Sequence, residues 1–424
     1  MAAGLVLAGC AVNPVTGRSE LALMQVSTDQ EIEIGRKTFP EAVQQMGGEY
    51  RDPALNNYVR QVGQKIARTT QRPDLPFEFK VLNDSTPNAF ALPGGFIGIT
   101  RGLLTDMENE AQLASVLGHE LGHVTARHSV QGMQRGTLLN LGMVVLSGVT
   151  GESAYGALAQ KTGQVAAQLL DNTYSREQER ESDRLGVDYM VLAGYDPQGA
   201  VQLQEYFYRQ VERGAEPALI TGLFRTHPFS KERMIDLQSY IAGKYPQIAG
   251  NPRYVMNPQP FQRAVAGLLG AKKGFELHDQ AAKLEEQGQL SQAIALYLQA
   301  AAAAPNQSLI LADLGMAYAR AGDLESGRRH LAQAVKLDDG YFRSRLGLGY
   351  VLLEKNLPAD ASKHLEASMK LLPTLQGGYL LGRSYESTGR KKEAAELYLA
   401  VSKADAGGRL GKAAAERLRI MEGR

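Results

Sequence analysis

Small residues recur through the last third of this chain at a spacing that leaves few folds open to it. Ala281, Gly315, Gly349 and Gly382 stand 34, 34 and 33 residues apart. Seven residues after each come Gly288, Gly322, Asn356 and Gly389, and twelve after each come Ala293, Gly327, Ala361 and Ala394. The sequence between them is rich in alanine and leucine, and Pro305 and Pro373 close the first and third units. A unit of that length holds two helices and a turn, and small side chains at fixed phase let the two helices pack closely. One such hairpin cannot bury its apolar face alone, so four in register predict an all-α solenoid over residues 275–424. Arg409 to Met421 reads as its capping helix, with a polar outer face. A stack of this kind presents a concave groove to peptides or partner proteins. His278, His330 and His364 lie within it, too scattered to suggest a metal site.

Upstream the pattern changes. At 424 residues the chain exceeds one ordinary core. Tyr245 to Gly274, with Pro246, Pro252, Pro258 and Pro260, reads as a connection, which leaves a domain over residues 25–245 and a linker over 246–274. Phe77 to Leu82 alternates apolar and polar residues, and Phe96 to Ile99 follows a Pro-Gly-Gly turn. A short antiparallel sheet is expected there, among helices, so the domain reads as α+β and mostly helical. An exposed sheet edge could pair with an extended peptide, with Asn88, Ala89 and Phe90 lining the cleft. Asn88 could equally be a turn residue.

The chemistry is carried by His119-Glu120-Leu121-Gly122-His123. Thr105 with Glu108 reads as the capping box that opens a helix there. Leu113, Val116, Leu117, Leu121 and Val124 then recur at core-facing spacing. Helical residues four apart share one face, so His119 and His123 can aim their imidazoles at one point. Two neutral imidazoles suit Zn2+, which needs a third protein ligand and an open position to do chemistry. Glu120 is turned about 100° from His119. It therefore flanks the metal without ligating it, and can take a proton from water there. Gly118 and Gly122 each cost about 1 kcal/mol against alanine in a helix interior, so a packing or access requirement must offset them. The pattern is short, and a surface helix with two solvated histidines would also produce it.

The third ligand decides the class of zinc enzyme. His128 comes nine residues after His119, one short of the register a metzincin needs, and Ala126 stands where that pattern has glycine. His128 reads as a residue behind the ligands or on the surface. The better candidates lie in the helical run from Tyr174 to Asp183, where Glu179 and Asp183 are four apart. Glu179 could complete a His2Glu set, while Asp183 on the same face could hold the free N–H of a ligand imidazole. Glu177, Glu181, Arg176, Arg180 and Arg184 crowd the same segment, so a solvated charged face is the competing reading. Gly194 stops that helix, and Asp196-Pro197 opens the next.

His119-Glu120-Leu121-Gly122-His123 followed by Glu179-x-x-x-Asp183 resembles the HtpX and CAAX-prenyl-protease type of gluzincin metallopeptidase. Pro87 to Leu104 is similar to a signature that precedes the active-site helix in that family, and so is Thr226-His227-Pro228 with Arg233 downstream. The similarity spans about residues 25 to 245. It implies a zincin-type metallopeptidase fold with one zinc per chain held by His119, His123 and Glu179. Glu120 would be the general base, and Asp183 would orient a ligand histidine. HtpX and the prenyl proteases carry transmembrane helices around the motif, and this sequence has none there. The soluble periplasmic, BepA-like branch, which joins such a domain to tetratricopeptide repeats, is the nearer resemblance, and the period read above is that of those repeats. His227 stays open. A gluzincin histidine outside the zinc triad can donate to the oxyanion of the tetrahedral intermediate. In the BepA-like branch the matching histidine can instead cap the zinc and hold the enzyme latent. It could also be a helix-entry residue before Pro228 with no chemical role.

Leu7-Ala8-Gly9-Cys10 matches a bacterial lipobox, in which the cysteine is lipidated. Residues 1–24 therefore read as a signal remnant and tether. Met1 to Val6 carry no charge, which reads as a truncated or misassigned start. Asn13 to Arg18 resembles the tether of lipoprotein members of the family. Ala11 after the cysteine would by bacterial sorting rules direct the protein to the outer membrane. Cys10 is the single cysteine, so no structural disulfide forms within the chain. Leu138 to Leu146 is apolar but shorter than the roughly 20 residues a bilayer takes. It reads as a buried helix, or as a flap given Gly148, Gly151 and Gly156. A net charge of +1 makes no case for nucleic acid. These readings predict a zinc metalloendopeptidase of the bacterial periplasm, lipid-anchored to the outer membrane, and the resemblance alone implies that it acts in envelope protein quality control. Peptides and proteins would be its substrates. Outer-membrane proteins or their assembly machinery, engaged through the repeats, are clients implied by the resemblance alone. The alternative is a latent or inactive repeat-based adaptor or chaperone.

Overall fold

The computed structural model describes residues 9–13, 15, 17, 19–22, 26–135, 166–171, 173–212, 222–248, 250–421 and 423. These fall into two compact units, one drawn from residues 9–39, 52–135 and 166–266, the other from 40–51 and 267–423. The apolar stretch Leu138 to Leu146 lies outside the described residues. No described helix is long and apolar enough to cross a membrane.

In the first unit β1 (Gly9–Val12) pairs antiparallel with β2 (Ser19–Ala22). Helix α1 (Thr28–Gln45) follows, then α2 (Pro53–Ala67). The latter opens on Asp52, whose carboxylate accepts from the backbone N–H groups of Ala54 and Leu55. Strands β3 (Glu78–Leu82), β4 (Ala89–Leu92) and β5 (Phe96–Thr100) form a sheet in the order β3-β5-β4. Strands β4 and β5 are an antiparallel hairpin across Pro93-Gly94-Gly95, but β3 runs parallel to β5. The sheet is therefore mixed, not antiparallel as the alternation suggested. Alternation marks which residues form strands but carries no information about which strand slots in between.

Helix α3 (Arg101–Leu104) is one turn, and α4 (Glu110–Thr125) carries the histidine motif. Asn109 caps α4, its side chain accepting from the Gln112 N–H, while Thr105 ends α3. The capping box read at Thr105 and Glu108 is thus displaced, because Thr105 is the C-cap of α3 and α4 begins only at Glu110. After α5 (His128–Arg135) the described chain reaches α6 (Arg176–Leu192), which opens on a true capping box made by Ser175 and Gln178. Gly194 follows α6 at φ 81°, and the Asp196 carboxylate accepts from the Gln198 N–H at the start of α7 (Gln198–Glu212). Two further helices, α8 (Leu223–Thr226) and α9 (Lys231–Lys244), complete the surroundings of the site.

The crossing of α4 on α6 explains the costly glycines in the motif. A Cβ on Gly118 would stand 2.9 Å from the Gly186 carbonyl oxygen, and one on Gly122 would stand 3.0 Å from Ser182 Cα. Only bare backbone lets the two helices come this close.

The repeats are all-α. Helix α10 (Pro258–Glu286) begins inside the stretch read as linker, with Pro258 and Pro260 in its first turn, where the missing N–H groups have no helical partner to lose. Hairpin partners follow in sequence: α11 (Leu290–Ala303), α12 (Ser308–Arg320), α13 (Leu324–Leu337), α14 (Phe342–Glu354), α15 (Pro358–Leu371), α16 (Leu375–Ser387) and α17 (Lys391–Ala404), then α18 (Arg409–Met421) as the cap. Gly288, Gly322, Asn356 and Gly389 hold φ of 77°, 89°, 59° and 80°, the left-handed turn joining the two helices of each hairpin. Ala281, Ala293, Ala361 and Ala394 are fully buried at the crossings. The same unit takes in residues 40–51, where the Gln44 side chain donates to Gly340 O and accepts from Phe342 N–H.

Candidate metal centre

Two helices and one turn deliver the polar groups. Helix α4 supplies His119, Glu120 and His123, α6 supplies Glu179 and Asp183, and the turn after α8 supplies His227. One donor atom from each of His119, His123, Glu179 and His227 lies within 4.8 Å of all the others. His119 Nε2 stands 3.0 Å from His123 Nε2 and 3.3 Å from His227 Nδ1. Glu179 Oε1 lies 3.3 Å from His123 Nε2 and 3.1 Å from His227 Nδ1. Donors around a tetrahedral zinc with bonds near 2 Å stand roughly 3.3 Å apart. The observed spacings match that figure, and ring nitrogens turned toward one another at such distances present lone pairs that a cation satisfies. The residues fit zinc.

The electrostatics agree. Burial holds the His123 imidazole well below its usual pKa, which keeps it neutral as a ligand must be. Burial pushes the Glu179 carboxyl up, but His227 and Arg233 outweigh it and hold it well below the usual carboxylate range. Burial raises Glu120, with His227 and His119 opposing. Glu120 Oε2 is buried without a hydrogen-bond partner, while Oε1 lies 3.5 Å from His227 Nε2. An unpartnered buried carboxylate oxygen costs stability.

Asp183 Oδ1 lies 3.0 Å from His119 Nδ1, on the ring edge away from the other donors. Arg233 on α9 holds that carboxylate from behind through Nε at 2.9 Å and Nη2 at 2.7 Å. Its Nη1 donates to Pro228 O at 2.9 Å and makes a short ion pair with Glu179. One guanidinium thus joins Glu179, the carboxylate that meets His119 and the loop carrying His227, a junction that sequence spacing could not show. Tyr174 lays its ring against His123 at 3.7 Å between centroids. His128 is buried behind His123.

A cavity of about 60 Å3 opens beside the donors, bounded by His119, Glu120 and His227 and walled by Leu203, Phe207 and Phe224 among other apolar groups. Asn88, Ala89 and Phe90, expected to line a cleft, are buried and take no part in its walls. The elements that wall it, α7 and α8, follow the motif by many residues and carry no local signal of the site.

Residues 53–241 match peptidase family M48 along their length. This domain belongs to peptidase family M48. Among curated relatives, the putative beta-barrel assembly-enhancing protease of Vibrio cholerae is 30% identical over 205 residues, 46% of this chain and 41% of that protein. The beta-barrel assembly-enhancing protease of Escherichia coli K12 is 28% identical over 255 residues, 58% of this chain and 49% of its own. Mitochondrial metalloendopeptidase OMA1 of Schizosaccharomyces pombe is 29% identical over 223 residues, 50% of this chain and 63% of its own. The chain spans about half the length of the first two relatives. The M48 domain is a metallopeptidase domain, zinc is its metal, and the resemblance to the BepA-like branch holds.

Proposed function

We propose that this chain is a zinc metalloendopeptidase of the bacterial envelope, with His119, His123 and Glu179 as ligands and Glu120 as general base. The observation that carries the reading is the convergence of four donors at zinc spacing beside a buried carboxylate with a free oxygen. Bound zinc supplies Lewis-acid polarisation of water and of the scissile carbonyl. Glu120 Oε2 takes the proton from the attacking water as its oxygen bonds to the carbonyl carbon, and gives that proton to the leaving amine as the C–N bond breaks. Asp183 and Arg233 hold the ligand carboxylate and imidazole in place. The apolar cavity suits an apolar substrate side chain. Outer-membrane proteins or their assembly machinery as clients, engaged through the repeats, follow from the names of the relatives. A periplasmic location and a lipid anchor at Cys10 belong to the same proposal.

A catalytic zinc keeps one position open, yet His227 stands at ligand distance from the other donors. That placement favours His227 as a cap holding the site latent, and it gives the adaptor reading its one structural support. Casein cleavage by wild type, Glu120→Gln and His227→Ala, with metal quantified, tests both. Cleavage that rises in His227→Ala and vanishes in Glu120→Gln at one zinc per chain supports a capped peptidase. Zinc without cleavage in any variant supports the adaptor. Cleavage unchanged or lower in His227→Ala overturns the capping role.

A further inference from the structure

We propose that Glu181 and His128 form a relay that fixes the tautomer of His123, so that carboxylates of α6 orient both ligand imidazoles, one directly and one through His128. The relay rests on the reading of His123 as a ligand. His123 Nδ1, the nitrogen turned away from the donor cluster, stands 3.0 Å from His128 Nδ1. His128 Nε2 in turn stands 3.0 Å from Glu181 Oε2. Both histidines are buried, and their rings meet edge to face at 5.0 Å.

A contact between two ring nitrogens at that distance is a hydrogen bond only if one carries a proton and the other a lone pair. The Glu181 carboxylate can only accept, so it places a proton on His128 Nε2. The neutral ring then has its lone pair at Nδ1, which accepts from His123 Nδ1–H. That leaves His123 Nε2 unprotonated and facing His119, Glu179 and His227. Ser182 Oγ stands farther from His128 Nδ1, at 3.3 Å, so the single lone pair goes to the nearer His123 N–H. The opposite polarity would place the proton on His123 Nε2 and remove it from the donor set. His119 has the simpler arrangement, with Nδ1 directly on Asp183.

The backbone supports a built feature. Arg127 lies between α4 and α5 at φ 60°, a left-handed conformation uncommon for a long side chain, and this turn brings His128 against His123. Glu181 is two residues from both Glu179 and Asp183, so it leaves their helix face and reaches His128 instead. His128 and Glu181 are thus positioning residues.

The test is zinc affinity of the full chain, by competition with a chromophoric chelator, in wild type, His128→Phe, His128→Gln and His123→Ala. Losing a group of this kind costs about 10–100-fold in metal affinity, so His128→Phe should fall in that range while His128→Gln, which keeps an acceptor oxygen, should stay within roughly threefold of wild type. Imidazole 15N spectra of the wild type supply a readout that needs no variant to fold. They should show His123 protonated at Nδ1 and His128 at Nε2 alone. Equal affinity in all His128 variants, equal loss in both, or a His128 protonated on both nitrogens would each overturn the relay. If His123→Ala binds zinc as wild type does, the ligand assignment fails first. If it loses zinc while His128→Phe does not, the relay alone fails.

Discussion

Two glycine-lined helix crossings, one in each unit, use the same packing device for different ends. On α4 a Cβ at Gly118 would meet the Gly186 carbonyl oxygen at 2.9 Å, and on α12 a Cβ at Gly315 would meet the Gly327 carbonyl oxygen at 3.0 Å. Each glycine weakens its helix by about 1 kcal/mol, so the close approach must return more. Around Gly315 the neighbours are apolar, with Leu314, Ala317 and Leu331 fully buried, and the return is packing. Around Gly118 and Gly122 the helices carry His119, Glu120 and His123 against Glu179 and Asp183. There the approach sets donor spacings, and one carboxylate oxygen of Glu120 is left without a partner. In the repeats His278 is paired with two aspartates and Tyr398 with Glu386, while His330 and His364 each bury an unpartnered Nδ1 but stand apart from any second donor cluster among the described residues. The polar groups at a crossing, more than its geometry, show whether it was built for stability or chemistry.

The largest expected contrast is between activity and stability at Glu120. Glu120→Gln should lower proteolysis by about 10²–10⁴-fold, the usual contribution of a positioned general base. Burial already disfavours the charge there, so the unfolding midpoint should stay level or rise. A Glu120→Gln protein that cuts casein at the wild-type rate would remove Glu120 from the mechanism. Arg233 comes next. Arg233→Ala leaves Asp183 and Glu179 buried without their cation, and breaking such a pair costs about 3–5 kcal/mol. Arg233→Lys should recover little, since an ammonium cannot hold Asp183 by two bonds. Urea unfolding of both variants checks this, and a loss below about 1 kcal/mol, the scale of an exposed pair, would show that Arg233 does not hold the two carboxylates.

The two units were legible in the sequence to different depths, for the same physical reason. The hairpins repeat a local interaction, so small residues at constant phase gave the helix pairs and, at Gly288, Gly322, Asn356 and Gly389, their turns. The motif on α4 and the pair on α6 are also local, which is why His119, His123, Glu179 and Asp183 stood out as candidates before the structure brought them together. What joins them is not local. Arg233 reaches Asp183 across 50 residues, Gly118 meets Gly186 across 68, and β5 slots between β3 and β4. His128 and Glu181 looked like a failed ligand and a solvated charge because their partner lies on another helix. His227 was visible only through resemblance, since nothing in Thr226-His227-Pro228 tells where α8 ends.

His278 offers a smaller effect, confined to the repeats. Burial pushes its pKa down, but hydrogen bonds to Asp279 and Asp313 outweigh that and hold it at about 9 against 6.5. A shift of that size is worth on the order of 3 kcal/mol. Because the folded value is raised, this stability is fully present below about pH 6.5 and is lost as pH rises through about 9. Unfolding free energy of the wild type should therefore drop between pH 6 and pH 10 by more than that of His278→Gln. Parallel curves for the two would show that the aspartates do not hold a charged ring.

The smallest expected effects return to the two crossings and test the contrast directly. Gly315→Ala and Gly186→Ala each place a Cβ against backbone, at 3.0 Å from Gly327 O in the first and 2.8 Å from His119 N in the second. Overpacking of this kind costs about 1–3 kcal/mol, partly offset by the better helix propensity of alanine. The two variants should therefore unfold at similarly reduced denaturant concentrations. Their zinc affinities should part. Pushing α6 off α4 moves Glu179 and Asp183 away from His119 and His123, whereas pushing α13 off α12 moves only apolar contacts. Chelator competition on both proteins reads the difference: weaker zinc in Gly186→Ala with Gly315→Ala at the wild-type value. Wild-type affinity in both would mean that the donor spacing is held by Arg233 and the ligand side chains, with the glycine crossing serving the fold alone.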